Sequence, residues 1–244
     1  MNNKNPKNSQ NFITSHKYIV DILKETNIND NDFIIEIGTG KGHFTKQLSN
    51  KARFVKSIEI DKDLYHKLKN DNSLGKNIEL VNKNILDYLF SKNKQYKIFG
   101  NIPYNISTEI VKKIVFESNA KYTYLITELG FAKRIMDKNR ALGLLILSQI
   151  DIHILKTIPN YYFHPKPRVE SVLILLKRHK PLIPKNEERL YRYFVYKWVN
   201  KEYNRLFTKN QFNKALKHAR VQDINDISKE QIISIFQSYK LFNK

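Results

Sequence analysis

The run Asn101-Ile102-Pro103-Tyr104 carries the most chemistry in this chain. It follows the apolar stretch Tyr96 to Phe99, which reads as a strand, so it sits where that strand ends. The amide oxygen of Asn101 can accept a hydrogen bond from an exocyclic amine. Pro103 fixes its own φ and biases Ile102 away from the helical region, which can turn the Ile102 carbonyl toward a pocket. Tyr104 offers a flat face on which a planar base stacks. Two acceptors and a ring are what gripping an adenine amino group and presenting it for methylation requires. A Pro-containing turn without chemistry is the competing reading of the run by itself.

Four further groups of residues bear on that choice. Glu36-Ile37-Gly38-Thr39-Gly40-Lys41-Gly42 closes an apolar run and opens a helical pattern, and glycines there let the backbone approach a ligand closely. A dinucleotide fingerprint places its third glycine where this chain has His43, so the loop suits a ligand without a pyrophosphate. Glu36 repels phosphates and welcomes an amine, directly or through water. Glu59 ends the next apolar run about 20 residues later, the distance at which a doubly wound fold holds ribose hydroxyls, and Ile60 beside it suits an adenine ring. Asn84, in Asn82-Lys83-Asn84-Ile85-Leu86, is either a polar turn residue or an acceptor for the amino edge of a nucleoside. Gln10-Asn11-Phe12-Ile13 precedes the first helix and is expected to fold over the pocket as a lid, with Lys4, Lys7 and Lys17 near phosphates.

The elements that must position these residues are legible as alternating patterns. Phe33–Ile37, Phe54–Ile60, Asn77–Val81, Tyr96–Phe99 and Tyr122–Thr127 read as strands, and Asp61–Asn70 and Ser107–Glu117 as helices between them. Alternation of this kind implies a parallel sheet covered on both faces. Ile152–Ile158 and Ser171–Leu176 read as an antiparallel pair at one edge. The loop joining them, residues 159–167, holds three prolines and three aromatic residues, a stiff support for trapping a base unless other elements cover the rings. Past Pro181 and Pro184 the pattern is helical only, in Glu187–Tyr203, Gln211–Ala219 and Lys229–Gln237, the last with Ser228 as N-cap. A domain boundary is therefore expected near Pro181, dividing the chain into residues 1–180 and 181–244.

Composition narrows the partner. The formal charge is +20, with +13 in the first 180 residues and +7 in the rest, so both parts favour a polyanion. There is no cysteine, which excludes disulfides, thiolate metal sites and cysteine nucleophiles, and no histidine pair has zinc-ligand spacing. The N-terminus has no apolar signal core, and no segment approaches the ~20 apolar residues of a membrane span. A cytoplasmic protein with no metal and no membrane partner is expected.

Taken together, the chain resembles the rRNA adenine N6-dimethyltransferases, and within them the Erm enzymes that act on 23S rRNA and confer macrolide, lincosamide and streptogramin B resistance. The likeness lies in Asn8-Ser9-Gln10-Asn11-Phe12, the glycine loop, Asn101 to Ser107, Gly130-Phe131-Ala132-Lys133-Arg134, Phe163-His164-Pro165-Lys166-Pro167 and Phe207-Thr208-Lys209-Asn210-Gln211-Phe212. The last two separate Erm from the related 16S rRNA enzymes better than Asn-Ile-Pro-Tyr does. The resemblance implies a Rossmann-like class I methyltransferase domain, with a mostly parallel sheet and an antiparallel edge strand, followed by a small all-helical RNA-binding domain. It implies S-adenosylmethionine as cofactor, 23S rRNA as partner and a monomeric enzyme. Asn11 and Ile13 would contact the cofactor from the lid, and Glu36, Gly38 and Gly40 would form its loop. Glu59 and Ile60 would hold the ribose side, and Asn84 and Ile85 the adenine. Asn101 would lie beside the methyl group, with Ile102, Tyr104 and Phe163 on the target base. Many Erm sequences have Asp where this chain has Asn84, which implies weaker cofactor binding. A 16S rRNA enzyme, a non-catalytic nucleic-acid-binding relative and an NAD-dependent oxidoreductase are the rival readings.

Overall fold

A computed structural model describes residues 11–243. Lys4, Lys7, Asn8, Ser9 and the Gln10 end of the lid lie outside the described residues. The chain divides into two compact units, one built from residues 11–132 and 152–178, the other from 133–151 and 179–243.

The first unit carries the sheet. Its strands are β1 (Phe12–Ile13), β2 (Phe33–Ile37), β3 (Phe54–Glu59), β4 (Ile78–Asn82), β5 (Lys97–Asn101), β6 (Tyr122–Glu128), β7 (Ile150–Ile158, whose first two residues fall in the second unit), β8 (Phe163–His164) and β9 (Ser171–Arg178). Seven of them form one sheet in the order β4-β3-β2-β5-β6-β9-β7. Pairing is parallel from β4 through β6, and β9 runs antiparallel to β6. The pair expected at one edge is present: β9 and β7 are neighbours, with β7 the outermost strand and β9 joining it to β6. Strand β2 is Phe-Ile-Ile-Glu-Ile, four of its five residues buried, as a strand covered on both faces requires.

Helices α1 (His16–Lys24), α2 (His43–Lys51), α3 (Lys62–Lys69) and α4 (Ser107–Glu117) connect the strands. Ser15 caps α1 by accepting from the Tyr18 N–H, and Asp61 caps α3 by accepting from the Asp63 and Leu64 N–H groups. The core of this unit gathers Ile19, Ile22, Ile34, Leu48, Val55, Phe99, Tyr124 and Ile126. Because β2, β3, β4 and β5 run the same way, Ile37, Glu59, Asn82 and Asn101 arrive together at the carboxyl end of the sheet, where ligands of open α/β folds bind.

A second, two-stranded pairing was not foreseen. β1 and β8 run antiparallel, Phe12 opposite His164 and Ile13 opposite Phe163. It ties the N-terminal segment to the aromatic loop, which contains a cis His164–Pro165 bond.

In the second unit, α6 (Ala141–Leu147), α7 (Glu188–Val199), α8 (Lys209–His218) and α9 (Lys229–Phe242) pack around Tyr191, Phe194, Trp198, Phe207, Ile235 and Phe236. α8 and α9 both open on full capping boxes, Thr208 with Gln211 and Ser228 with Gln231. Helix α5 (Leu129–Met136) begins in the first unit and ends in the second.

Candidate active site

A cavity of about 290 Å³ opens at the carboxyl ends of β2, β3 and β5. Asn11, Ile13, Gly38, Gly40, Glu59, Ile60, Asn84, Ile85, Asn101, Ile102 and Tyr104 all line it. Eleven of the thirteen residues singled out from the sequence are thus brought to one hollow; Glu36 and Phe163 are the two that are not.

The glycine loop turns as its composition demands. Gly38, Gly40 and Gly42 have φ of 78°, 56° and 79°, the left-handed region that costs glycine little. Gly40 is also sterically committed, because an added Cβ would stand 2.7 Å from Cε1 of Phe12. The Gly40 N–H donates to Glu59 Oε2 at 2.8 Å, and the Asp61 N–H donates to Glu59 Oε1 at 2.9 Å. Glu59 is therefore held by the glycine loop on one side and the start of α3 on the other. Burial pushes its carboxyl above the usual range, and the backbone donors oppose that.

Glu36 stands elsewhere than its place in the sequence suggested. It is 1% exposed and does not face the cavity. Its Oε2 accepts from Thr45 at 2.7 Å and from Ser57 at 2.6 Å, and Ser57 Oγ meets Thr39 Oγ1 at 2.6 Å. In strand β2 successive side chains alternate faces, so Ile37, not Glu36, points to the hollow. Glu36 braces the underside of the loop through Thr39. Desolvation raises its pKa to about 7, against the two hydroxyl donors.

Asn84 Oδ1 accepts from the Leu86 N–H at 3.0 Å, capping a single 3-10 turn, Ile85–Asp87. The acceptor assigned from sequence to a ligand amine is thus engaged locally, and the amide NH2 is the other polar edge. Asn101 donates from Nδ2 to the Asn11 carbonyl at 2.8 Å, which leaves Oδ1 as the edge for an incoming donor. The Ile102 N–H is held by the Ile126 carbonyl at 3.1 Å. Tyr104 bonds Ser171 through its hydroxyl at 2.6 Å, and burial raises its pKa, so the ring is fixed as a neutral phenol.

Phe163 does not line the cavity. Its ring is 1% exposed, packed in the core with Ile13, Tyr18 and Ile158. The reason is the β1–β8 pairing, which sets Phe163 opposite Ile13 and turns it inward. As folded, it has no free face for a base. In the same loop Tyr162 stacks on Tyr18 at 3.5 Å, and Tyr161 is 63% exposed. Among cavity residues, Lys41 and His43 carried no assigned role and Phe12 only a place in the lid; Lys41 Nζ lies 5.1 Å from the Phe12 ring, a cation–π contact between residues 29 apart that no local pattern signals. No group of three His, Cys, Asp or Glu able to hold a metal ion occurs among the described residues. No helix among the described residues is long and apolar enough to cross a membrane.

Comparison with known proteins agrees with this geometry. The chain is 56% identical to an rRNA adenine N-6-methyltransferase of Limosilactobacillus reuteri over 244 residues, all of both chains. It is 59% identical over 243 residues to one of Staphylococcus aureus, with the same full coverage. Among solved structures it is similar to the 23S rRNA methyltransferase ErmE, at 26% identity and a TM-score of 0.80, covering 94% of this chain and 100% of that one. A family model described as ribosomal RNA adenine dimethylase matches residues 1–244, and this chain belongs to that family.

Proposed function

We propose that this protein transfers methyl groups from S-adenosylmethionine to N6 of one adenine in 23S rRNA, through to the dimethyl product, and so protects the ribosome from macrolide, lincosamide and streptogramin B antibiotics. The observation that carries the reading is the engagement of Asn101: its amide nitrogen donates to the Asn11 carbonyl, which leaves its oxygen for an incoming amine, and it lines one cavity with Glu59 and Tyr104. The printed names of the full-length relatives support an rRNA adenine substrate, and that of ErmE supports 23S rRNA.

The residues present fit the cofactor. Ile37, Ile58, Ile60 and Ile85 give apolar walls for a purine, and Glu59 retains lone pairs beyond those its backbone donors occupy. Asn11, Ile13, Gly38, Gly40 and Asn84 would complete the seat. S-adenosylmethionine, when bound, supplies a methyl group on a positively charged sulfur.

The protein's part is positioning. An adenine extruded from its RNA context costs a few kcal/mol, less for a loop base. Tyr104 stacks on it, and Asn101 Oδ1 with the Ile102 carbonyl accepts its amino hydrogens. Held so, the nitrogen loses conjugation with the ring and turns its lone pair toward the glycine-loop side. The same acceptors stabilise the positive charge that grows on nitrogen as it is alkylated. No strong base is needed, because the nitrogen becomes acidic only after alkylation and then releases its proton. Phosphates are held by the cationic surface, to which residues 181–244 contribute +7 as an RNA-binding region, with the enzyme acting as a cytoplasmic monomer. The test is incubation with labelled cofactor and protein-free 23S or 16S rRNA, with the modified base mapped by primer extension. A stop at one 23S adenine is expected. A stop only in 16S rRNA reassigns the substrate, and no transfer to either leaves a nucleic-acid-binding protein.

A further inference from the structure

We propose that Phe12 is a positioning residue for methyl transfer, fixing which edge of the Asn101 amide the cavity sees. The inference rests on the role given to Asn101 above. A primary amide presents an acceptor on one edge and two donors on the other, and a half-turn exchanges them. With Oδ1 toward an amine the contact is a hydrogen bond; with NH2 toward it, two donors oppose each other. The bond that selects between these is the one from Nδ2 to the Asn11 carbonyl, 2.8 Å. That carbonyl is backbone, so its place depends on what anchors the next residue.

Phe12 is anchored on three sides. Its backbone pairs with His164 across β1 and β8. Its ring lies over Gly40, so closely that a Cβ there would come within 2.7 Å of Cε1. Lys41 Nζ lies 5.1 Å from the ring centroid on the same loop. Gly40 in turn donates to Glu59 at 2.8 Å. The contacts form one chain: Glu59, Gly40, Phe12, Asn11, Asn101. It joins the carboxylate assigned to the cofactor with the amide assigned to the target amine, so that the amide is set correctly only while the strap formed by Asn11 to Ile13 is seated on the glycine loop.

The test compares wild type, Phe12→Ala and Phe12→Leu in steady-state methylation of protein-free 23S rRNA, together with ¹⁵N spectra of the side-chain amides. The Asn101 signal is identified by its loss in Asn101→Asp. Phe12→Ala is expected to lower kcat about tenfold, the scale of one neutral hydrogen bond, with KM for RNA nearly unchanged and the Asn101 signal moved toward that of a solvated amide. Phe12→Leu, which keeps an apolar cover on Gly40, is expected to recover most of kcat and guards against a fold lost in the alanine variant. Full kcat in Phe12→Ala overturns the proposal, as does a fall in kcat with the Asn101 signal unmoved. If wild type transfers no methyl group to rRNA, the methylation reading fails and the Asn101 signal alone decides the strap.

Discussion

Replacing Glu36 by Gln isolates what a buried carboxyl does to this fold as pH changes. Glu36 titrates near 7 when folded, against an ordinary 4.5, because burial disfavours its charged form. A carboxyl whose folded pKa is raised holds its proton more tightly in the native state. Its contribution is therefore fully present below about pH 4.5 and is lost as pH rises through about 7. The shift from 4.5 to about 7 corresponds to roughly 3 kcal/mol, of which roughly 2–3 kcal/mol falls between pH 5 and pH 8. In Glu36→Gln the amide oxygen accepts from Thr45 and Ser57 as Oε2 does, and the side chain no longer titrates. The new NH2 costs the variant some stability, but equally at both pH values, so it drops out of the comparison. Urea unfolding followed by circular dichroism at pH 5 and pH 8 reads the difference directly. Wild type should lose roughly 2–3 kcal/mol more than the variant over that interval, with a small part of the gap owed to Glu59, whose charge Glu36 opposes. Equal losses would mean that Glu36 is solvated as a normal carboxylate and that the brace under the glycine loop is misread.

Substitutions at three cavity positions test the division of roles. Tyr104→Ala should remove a base stack worth about 1–3 kcal/mol, seen in methylation rates of an rRNA fragment, whereas Tyr104→Phe keeps the ring and loses only the Ser171 bond; equal damage in both would argue against stacking. Asn101→Ala should depress kcat far more than RNA affinity by filter binding, and the opposite pattern contradicts an acceptor beside the reacting nitrogen. Asn84→Asp keeps the cap on Leu86 and changes only the second edge, from donor to charged acceptor. Cofactor affinity by calorimetry should then rise by about 1 kcal/mol with little change in melting temperature, and weaker binding would place Asn84 away from an amine.

How far the sequence reached depends on the range of the forces involved. β2 was legible to the residue, because Phe-Ile-Ile-Glu-Ile bounded by polar turns has one sensible reading. Glu59 and Asn101 were legible as cavity residues because a parallel sheet delivers strand ends to one edge. The burial of Glu36 was not: its partners Thr45 and Ser57 stand 9 and 21 residues away on other elements, and only the alternation within β2 decides that Ile37 takes the cavity. Phe163 failed for a similar reason. Two residues of β8 pairing with two of β1 leave no periodic trace, yet that pairing turns the ring inward. α6 is Ala-Leu-Gly-Leu-Leu-Ile-Leu, an apolar run whose period fits a buried strand as well as a helix.

Glu36 and Glu59 show why the site works in a chain of net charge +20. Both are nearly buried, and burial raises the pKa of each, but their partners differ in kind. Glu36 is met by two hydroxyl donors, which lower its pKa, but desolvation outweighs them and carries it up to about 7. Glu59 is met by two backbone N–H groups, which only donate and so favour the anion. The upper carboxylate can then accept from ligand hydroxyls, while the lower one supports the loop without placing a second full charge beneath it. The glycine loop, Ser57 and the start of α3 hold these two carboxyls in place, and so they belong to the site as much as the residues that face the cavity.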